Sequence, residues 1–282
     1  MGFVKRKGTK GVKHLPADSD SIKEEYVNKV NNVIKEHNIP DSLVINWDQT
    51  GCQLVLGGNW TMEQQGSQQV SIKGLDDKCQ ITLLLATTKS GALLPLQVIY
   101  PGKTNRCLPK GVTFPDNWDV TQTESHWSNE ETMIQFVDNF IIPYIDDIPL
   151  FEKSEKTVAI FDVYKAHRDD KLLNHLKANN IIPLFVPTAC TDKLQPLDLS
   201  VNREYKEILK THFHDWYSAQ VVQQLNDHED ITGERTSSIN VDLKTSVVKP
   251  IHAEWLISTH KVMETCTDLI QSGFRKAGLL VY

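Results

Sequence analysis

At 282 residues, with 40% hydrophobic and 23% charged residues, the chain is long enough for one large α/β domain with tails and has the composition of a soluble globular protein. No stretch approaches the roughly 18 unbroken apolar residues of a membrane span, and the charged N-terminus lacks the apolar core of a secretory signal, so an intracellular protein is expected. The net charge of −6 excludes a wholly basic nucleic-acid coat, which would draw its affinity from phosphate neutralisation.

Charge is unevenly placed. Lys5, Arg6, Lys7, Lys10 and Lys13 crowd the first 14 residues, which contain no acid. This stretch reads equally as a solubilising tail and as a DNA-contacting arm, and it also suits a nuclear address. The five cysteines, Cys52, Cys79, Cys107, Cys190 and Cys266, are widely spaced and form no C-x-x-C pair, so free thiols are expected rather than a disulfide framework or structural zinc. His212 and His214 lack a full ligand set around them and read as part of a solvated helix face.

In chain order, residues 1–20 read as a basic flexible arm. Tyr26, Val27, Val30, Val33 and Ile34 then make the apolar stripe of a helix that Asn38-Ile-Pro-Asp breaks. Ser42–Asp48 is a buried strand with Asp48 near its C-terminal end. Gln69–Lys73, Gln80–Thr88 and Leu93–Tyr100 are strand-like and suit antiparallel hairpins, whereas Pro101–Asn129 reads as an irregular loop. Ser128 has the look of an N-cap, with Glu131 in the capping-box position, for a helix from about Asn129 to Tyr144.

Lys156–Asp162 repeats the pattern of an apolar strand ending in aspartate. A helix over Arg168–Asn180 and a strand over Ile181–Pro187 follow as in a parallel α/β unit, and Asp198 falls at or just inside the start of a helix carrying Val201, Tyr205, Ile208 and Leu209 on one face. Gln223–Ser246 is polar and reads as an insert; helix resumes at Pro250 or His252, and the helix over Trp255–Lys276 is ended or bent by Gly273. The expected divisions are an arm over 1–20, an α/β domain over 21–220, a polar insert over 221–250 and a C-terminal helical segment over 251–282.

Three strands, a helix, a strand, a helix, a strand and a helix make the RNase H-like order, a mixed sheet flanked by helices. In it Asp48, Asp162 and Asp198 fall at the ends of the first and fourth strands and the start of the last helix. The first and fourth strands of such a sheet are neighbours, so the acids would converge, and a cluster of carboxylates is what a pair of divalent ions needs. Any one of these aspartates is as easily a cap or turn former. Asp169 or Asp170 compete for the second place, although both suit the first turn of a helix; Asp192 and Glu204 compete for the third, although one suits a turn and the other a solvated face.

Five blocks carry a specific resemblance: Asn46-Trp-Asp-Gln-Thr-Gly51, Val98-Ile-Tyr-Pro-Gly-Lys103, Ile160-Phe-Asp-Val-Tyr-Lys-Ala-His167, Leu194-Gln-Pro-Leu-Asp-Leu-Ser-Val-Asn202 and Ser272-Gly-Phe-Arg-Lys-Ala-Gly278. They resemble the pogo/Tigger/jerky branch of DDE transposases, and the Leu-Gln-Pro-x-Asp block is the most specific of them. The resemblance implies Asp48, Asp162 and Asp198 as catalytic and metal-binding acids, two Mg²⁺ or Mn²⁺ ions, and phosphodiester cleavage or strand transfer on DNA in the nucleus. It implies DNA and, in a homodimer, a second copy of the chain as partners, with no membrane and no small-molecule organic cofactor.

Val163 stands where related transposases commonly have Asn after the second acid. Members of this branch usually carry helix-turn-helix domains of centromere-protein-B type before the catalytic domain, and the basic arm is similar to the linker that follows them, so autonomous recognition of transposon ends is not expected of this sequence. A domesticated, catalytically inactive DNA- or chromatin-associated regulator is the alternative; an RNase H-type nuclease for RNA:DNA hybrids would share the acids but not the Gln-Pro-Leu-Asp block. His167, Arg168, Lys103, Arg106 and Lys110 are further candidates for phosphate contact, each equally explained by solvation.

Overall fold

The computed structural model describes residues 19–55, 79–150, 154–163, 169–188, 190–227 and 240–280. The basic arm with Lys5, Arg6, Lys7, Lys10 and Lys13, the strand expected at Gln69–Lys73, and His167 and Arg168 lie outside them. After helix α1 (Ser19–Glu36) come strands β1 (Val44–Gln53), β2 (Gln80–Thr88), β3 (Gln97–Pro101) and β4 (Asp119–Thr123). Helix α2 (Glu130–Phe136) passes through a π-helical turn at Val137–Ile141 into α3 (Ile142–Asp147). Then follow β5 (Thr157–Phe161), α4 (Asp170–Ala178), β6 (Ile181–Phe185), the short α5 (Thr191–Leu194) and α6 (Pro196–Leu199), the long α7 (Val201–Asp227), α8 (Thr245–Glu264) and α9 (Thr267–Lys276).

One mixed six-stranded sheet has the order β4-β3-β2-β1-β5-β6. β2 is antiparallel to both β1 and β3, while β5 lies parallel to β1 and β6 parallel to β5. This is the RNase H-like arrangement, with β4 added in parallel at the β3 edge.

Alternation along β1 assigns the two faces. Ile45 and Trp47 join Phe136, Phe140, Leu172 and Leu176 in the core beneath α2 and α4, whereas Val44, Cys52 and Leu54 join Tyr205, Leu256 and Phe274 beneath α7, α8 and α9. Asp48 has the parity of Val44 and Cys52, so it points toward the second set of helices.

Several local expectations change. β1 continues past Asp48 to Gln53 because β2 supplies a full antiparallel ladder as far as Gln53↔Gln80; Asp48 is therefore mid-strand rather than near the end. β4 occupies part of the stretch read as loop. It is an edge strand with no fully buried residue, so it shows no apolar alternation, and Gln97 Nε2 fastens it by donating to Asp119 Oδ2 at 2.7 Å.

The α2 cap is Asn129 rather than Ser128. Asn129 accepts from Thr132 N and its own N–H donates to Thr132 Oγ1, both at 2.9 Å, while the Ser128 hydroxyl is bonded to that of Thr132. α7 runs on to Asp227 and α8 begins at Thr245, so that Pro250 lies inside α8, in its second turn, and leaves the Ser246 carbonyl without its intrahelical donor.

Gly273 does not end or bend its helix. α8 stops at Glu264, capped by Thr265, and α9 starts anew at Thr267, and the left-handed residue that follows α9 is Gly278 at φ +80°. Among the described residues all five cysteines are free, and no helix is long and apolar enough to cross a membrane.

Candidate carboxylate centre

The parallel ladder between β1 and β5 ends at Asn46↔Ile160. Asp48 and Asp162 each lie two residues further on, at one level of neighbouring strands. One residue back on each strand, Trp47 and Phe161 stack with ring centroids 4.8 Å apart on the opposite face. This buried aromatic pair pins the register that aligns the acids.

The third acid is brought in by buried amides. Asn46 Nδ2 donates to Ile160 O at 2.9 Å, and its Oδ1 accepts from Leu197 N at 2.9 Å. Gln195 Nε2 donates to Trp47 O at 3.2 Å. An amide buried in the middle of an apolar strand is costly unless bonded; here it ties β1 to β5 and to the segment carrying Asp198.

On its far side that segment packs on α9, where a Cβ at Gly273 would come within 2.4 Å of Pro196 O and of Ser200 Oγ. Glycine is required there by close approach. Lys276 Nζ, also on α9, donates to Leu199 O at 3.1 Å.

Asn202, in the first turn of α7, completes the arrangement. Its Nδ2 donates to Asp48 Oδ2 at 2.7 Å and to Asp198 Oδ1 at 2.9 Å. Asp48 is 6% exposed, whereas Asp198 is exposed and Asp162 half-buried. Burial, then the negative charges of Asp198 and Asp162, push the Asp48 carboxyl well above the usual carboxylate range, and the Asn202 bond only partly opposes this. The structure thus brings all three predicted acids within electrostatic reach of one another.

The rival acids stand elsewhere in role. Asp169 caps α4 by accepting from Lys171 N at 2.9 Å, Asp170 is in the first turn of α4, and Asp192 and Glu204 are exposed in the first turns of α5 and α7. Lys103 is exposed and pairs with Glu124 at 3.2 Å, and Arg106 and Lys110 are exposed on the loop that follows β3. His212 Nε2 meets Ser258 Oγ at 3.2 Å, across the α7–α8 interface.

Sequence reading missed Asn46, Gln195 and Asn202. Asn46 carried a visible signal, a lone amide within an apolar run; Asn202, four residues after Asp198 on a helix, looked like any solvated polar residue. Among the described residues no three His, Cys, Asp or Glu side chains stand close enough to form a ready-made ion cage. Asp48, Asp162 and Asp198 nevertheless supply only carboxylate oxygens, and their mutual repulsion is of the kind a hard divalent cation relieves. The donor set fits such an ion.

An RNase H-like sheet carries Asp48 within β1 and Asp162 just past β5, with Asp198 brought beside them on α6, and the chain belongs to the DDE superfamily endonuclease family, which it matches over residues 78–260. Within that family the resemblance is to pogo-type transposases. The human "Pogo transposable element with KRAB domain" is 23% identical over 207 residues, covering 73% of this chain and 33% of the relative. The human "Pogo transposable element with ZNF domain" is 21% identical over 271 residues, covering 94% of this chain and 17% of the relative. The chain therefore matches a third or less of these curated relatives. Among solved structures, the mariner Mos1 paired end complex with Mg superposes with a TM-score of 0.50 at 13% identity, covering 98% of this chain and 64% of that one, in agreement with the fold.

Proposed function

We propose that this domain carries out divalent-metal-dependent cleavage and strand transfer of DNA phosphodiesters, with Asp48, Asp162 and Asp198 as the metal-binding acids. The observation that carries the proposal is the buried Asp48 carboxyl, facing two further aspartates delivered by β5 and α6 and held by an amide that bonds two of the three. Carboxylates kept close against their repulsion, at the cost of fold stability, mark a functional site.

Mg²⁺ or Mn²⁺ bound there would supply Lewis-acid polarisation of the phosphoryl group and a more acidic attacking water or 3′-hydroxyl. The chain's own contribution is to fix the acids: the Trp47–Phe161 stack sets the first two, and Asn46, Gln195 and Gly273 seat the third. DNA as partner is supported by family membership and by the solved mariner relative being a paired end complex. Lys5, Arg6, Lys7, Lys10 and Lys13 are the residues proposed to contact phosphate. A nuclear location and pairing of two copies on DNA belong to the same reading.

One observation favours the alternative of a domesticated, inactive DNA-associated protein. Val163, half-buried, places no amide beside Asp162. A nicking assay on supercoiled DNA with Mn²⁺ separates the two. Nicking by the wild type that is abolished in Asp48→Ala supports the enzyme, and equal nicking by both, or by neither, removes it.

A further inference from the structure

We infer that Asn202 is the positioning residue of the carboxylate centre: its amide nitrogen spans Asp48 and Asp198 and so holds the exposed third acid in register with the buried first. The inference rests on the metal-binding role proposed for those acids.

Asn202 is 5% exposed, and the two hydrogens of its Nδ2 are committed, to Asp48 Oδ2 at 2.7 Å and to Asp198 Oδ1 at 2.9 Å. Its Oδ1 is buried without a partner. The reverse orientation would set an amide oxygen against two carboxylates, so the nitrogen is obliged to face them. Leaving a buried acceptor unbonded is unfavourable, and two charge-assisted bonds from one nitrogen offset it.

The acid most in need of this support is Asp198. It lies in the four-residue α6, which is cut off from α7 by the non-helical Ser200 at φ −145° and ψ −78°. The Asn46 and Gln195 amide nitrogens are bonded to backbone carbonyls, of Ile160 and Trp47, and not to the acids. They seat the segment; Asn202 aims the carboxylate.

The test measures Mn²⁺ affinity of the full chain, without DNA, by titration followed by electron paramagnetic resonance. The variants are Asn202→Leu, Asn202→Ser, Asp198→Ala, the Asn202→Leu/Asp198→Ala double and Asp48→Ala, with unfolding midpoints recorded in EDTA. Asn202→Leu, similar in size but without a donor, is expected to weaken Mn²⁺ binding about 10- to 100-fold. In the Asp198→Ala background the same change is expected to cost far less, because the residue it aims is gone.

A purely structural role would give losses that multiply, and that outcome overturns the inference, as does an affinity within twofold of wild type. Should Asn202→Leu not fold, Asn202→Ser carries the same comparison, its hydroxyl being too short to span both acids. Wild type and Asp48→Ala both failing to bind Mn²⁺ would overturn the metal-site reading itself and this role with it. Wild-type binding unaltered by the Asn202 changes would overturn this role alone.

Discussion

Asp48, within β1, and Asp162, one residue past the end of β5, each stand two residues beyond the last rung these parallel strands share, Asn46 with Ile160. Their convergence follows from strand register and needs no long-range adjustment of side chains. Asp48 is therefore as stable in position as the sheet and Asp162 follows directly from its end, while the third acid depends on the docking of α6.

That register rests on the Trp47–Phe161 stack. Phe161→Ala removes a fully buried ring packed against Trp47, with Phe185 edge-on at 5.0 Å, and is expected to destabilise the domain by about 3–5 kcal/mol, read from denaturant unfolding. Phe161→Leu, which keeps most of the volume, is expected to lose about half as much or less.

The acid cluster costs stability in the metal-free protein. Burial and the two neighbouring aspartates raise the Asp48 carboxyl above its usual value of 3.8. A group whose folded pKa is raised contributes its stability below the unfolded value and loses it as pH rises through the folded one. Asp48→Asn is therefore expected to raise the unfolding midpoint in EDTA at neutral pH, with the gain shrinking as pH falls toward 4. Mn²⁺ is expected to stabilise the wild type and not the variant. A variant no more stable than wild type at neutral pH would contradict this.

Two histidines on α8 set an acid limit of a different sign. Burial lowers His252 to about 3 and His260 to about 4, against 6.5 in the unfolded chain. Glu264, half-exposed and 3.6 Å from His260 Nε2, does not offset the burial. Between pH 6.5 and about 4 the unfolded state binds the protons, so stability is fully present above that window and falls as pH drops, by up to about 1.4 kcal/mol per pH unit for each histidine. Urea unfolding at pH 7 and pH 5 checks this, and His252→Leu is expected to flatten the dependence.

Gly273→Ala tests how Asp198 is seated. The added methyl meets the Pro196 carbonyl and the Ser200 hydroxyl at 2.4 Å, so the Pro196 backbone must shift and the Ser200 side chain must move. A loss of about 1–3 kcal/mol is expected. Because the displaced segment carries Asp198, Mn²⁺ affinity should fall even at temperatures where the variant is fully folded, whereas Gly111→Ala, strained by its φ of +76° but with open space around it, should lower stability and leave affinity unchanged.

Much of this site is written in local sequence. Apolar runs ending in Asp48 and Asp162 identify strands and acids together, because a buried strand must be apolar for its length and a carboxylate within it is conspicuous. Asp198 is marked by its Pro-containing block at a helix start. Other features belong to pairing rather than composition: β1 outlasts Asp48 only because β2 offers backbone partners, and β4 exists as a strand only because β3 has a free edge. Asn129 displaces Ser128 as a cap through a hydroxyl network that neither residue specifies alone.

Residue types and spacing thus determined which three acids stand out and which strands carry two of them, since burial period and strand length are local properties of the chain. What only the tertiary structure decided is how the third acid meets the first. Asn46, Gln195, Asn202 and Gly273 acquire their roles from groups as many as 154 residues away, the separation of Asn202 from Asp48, and a hydrogen bond across that interval depends on the folded path of the backbone, which leaves no periodic trace in the sequence.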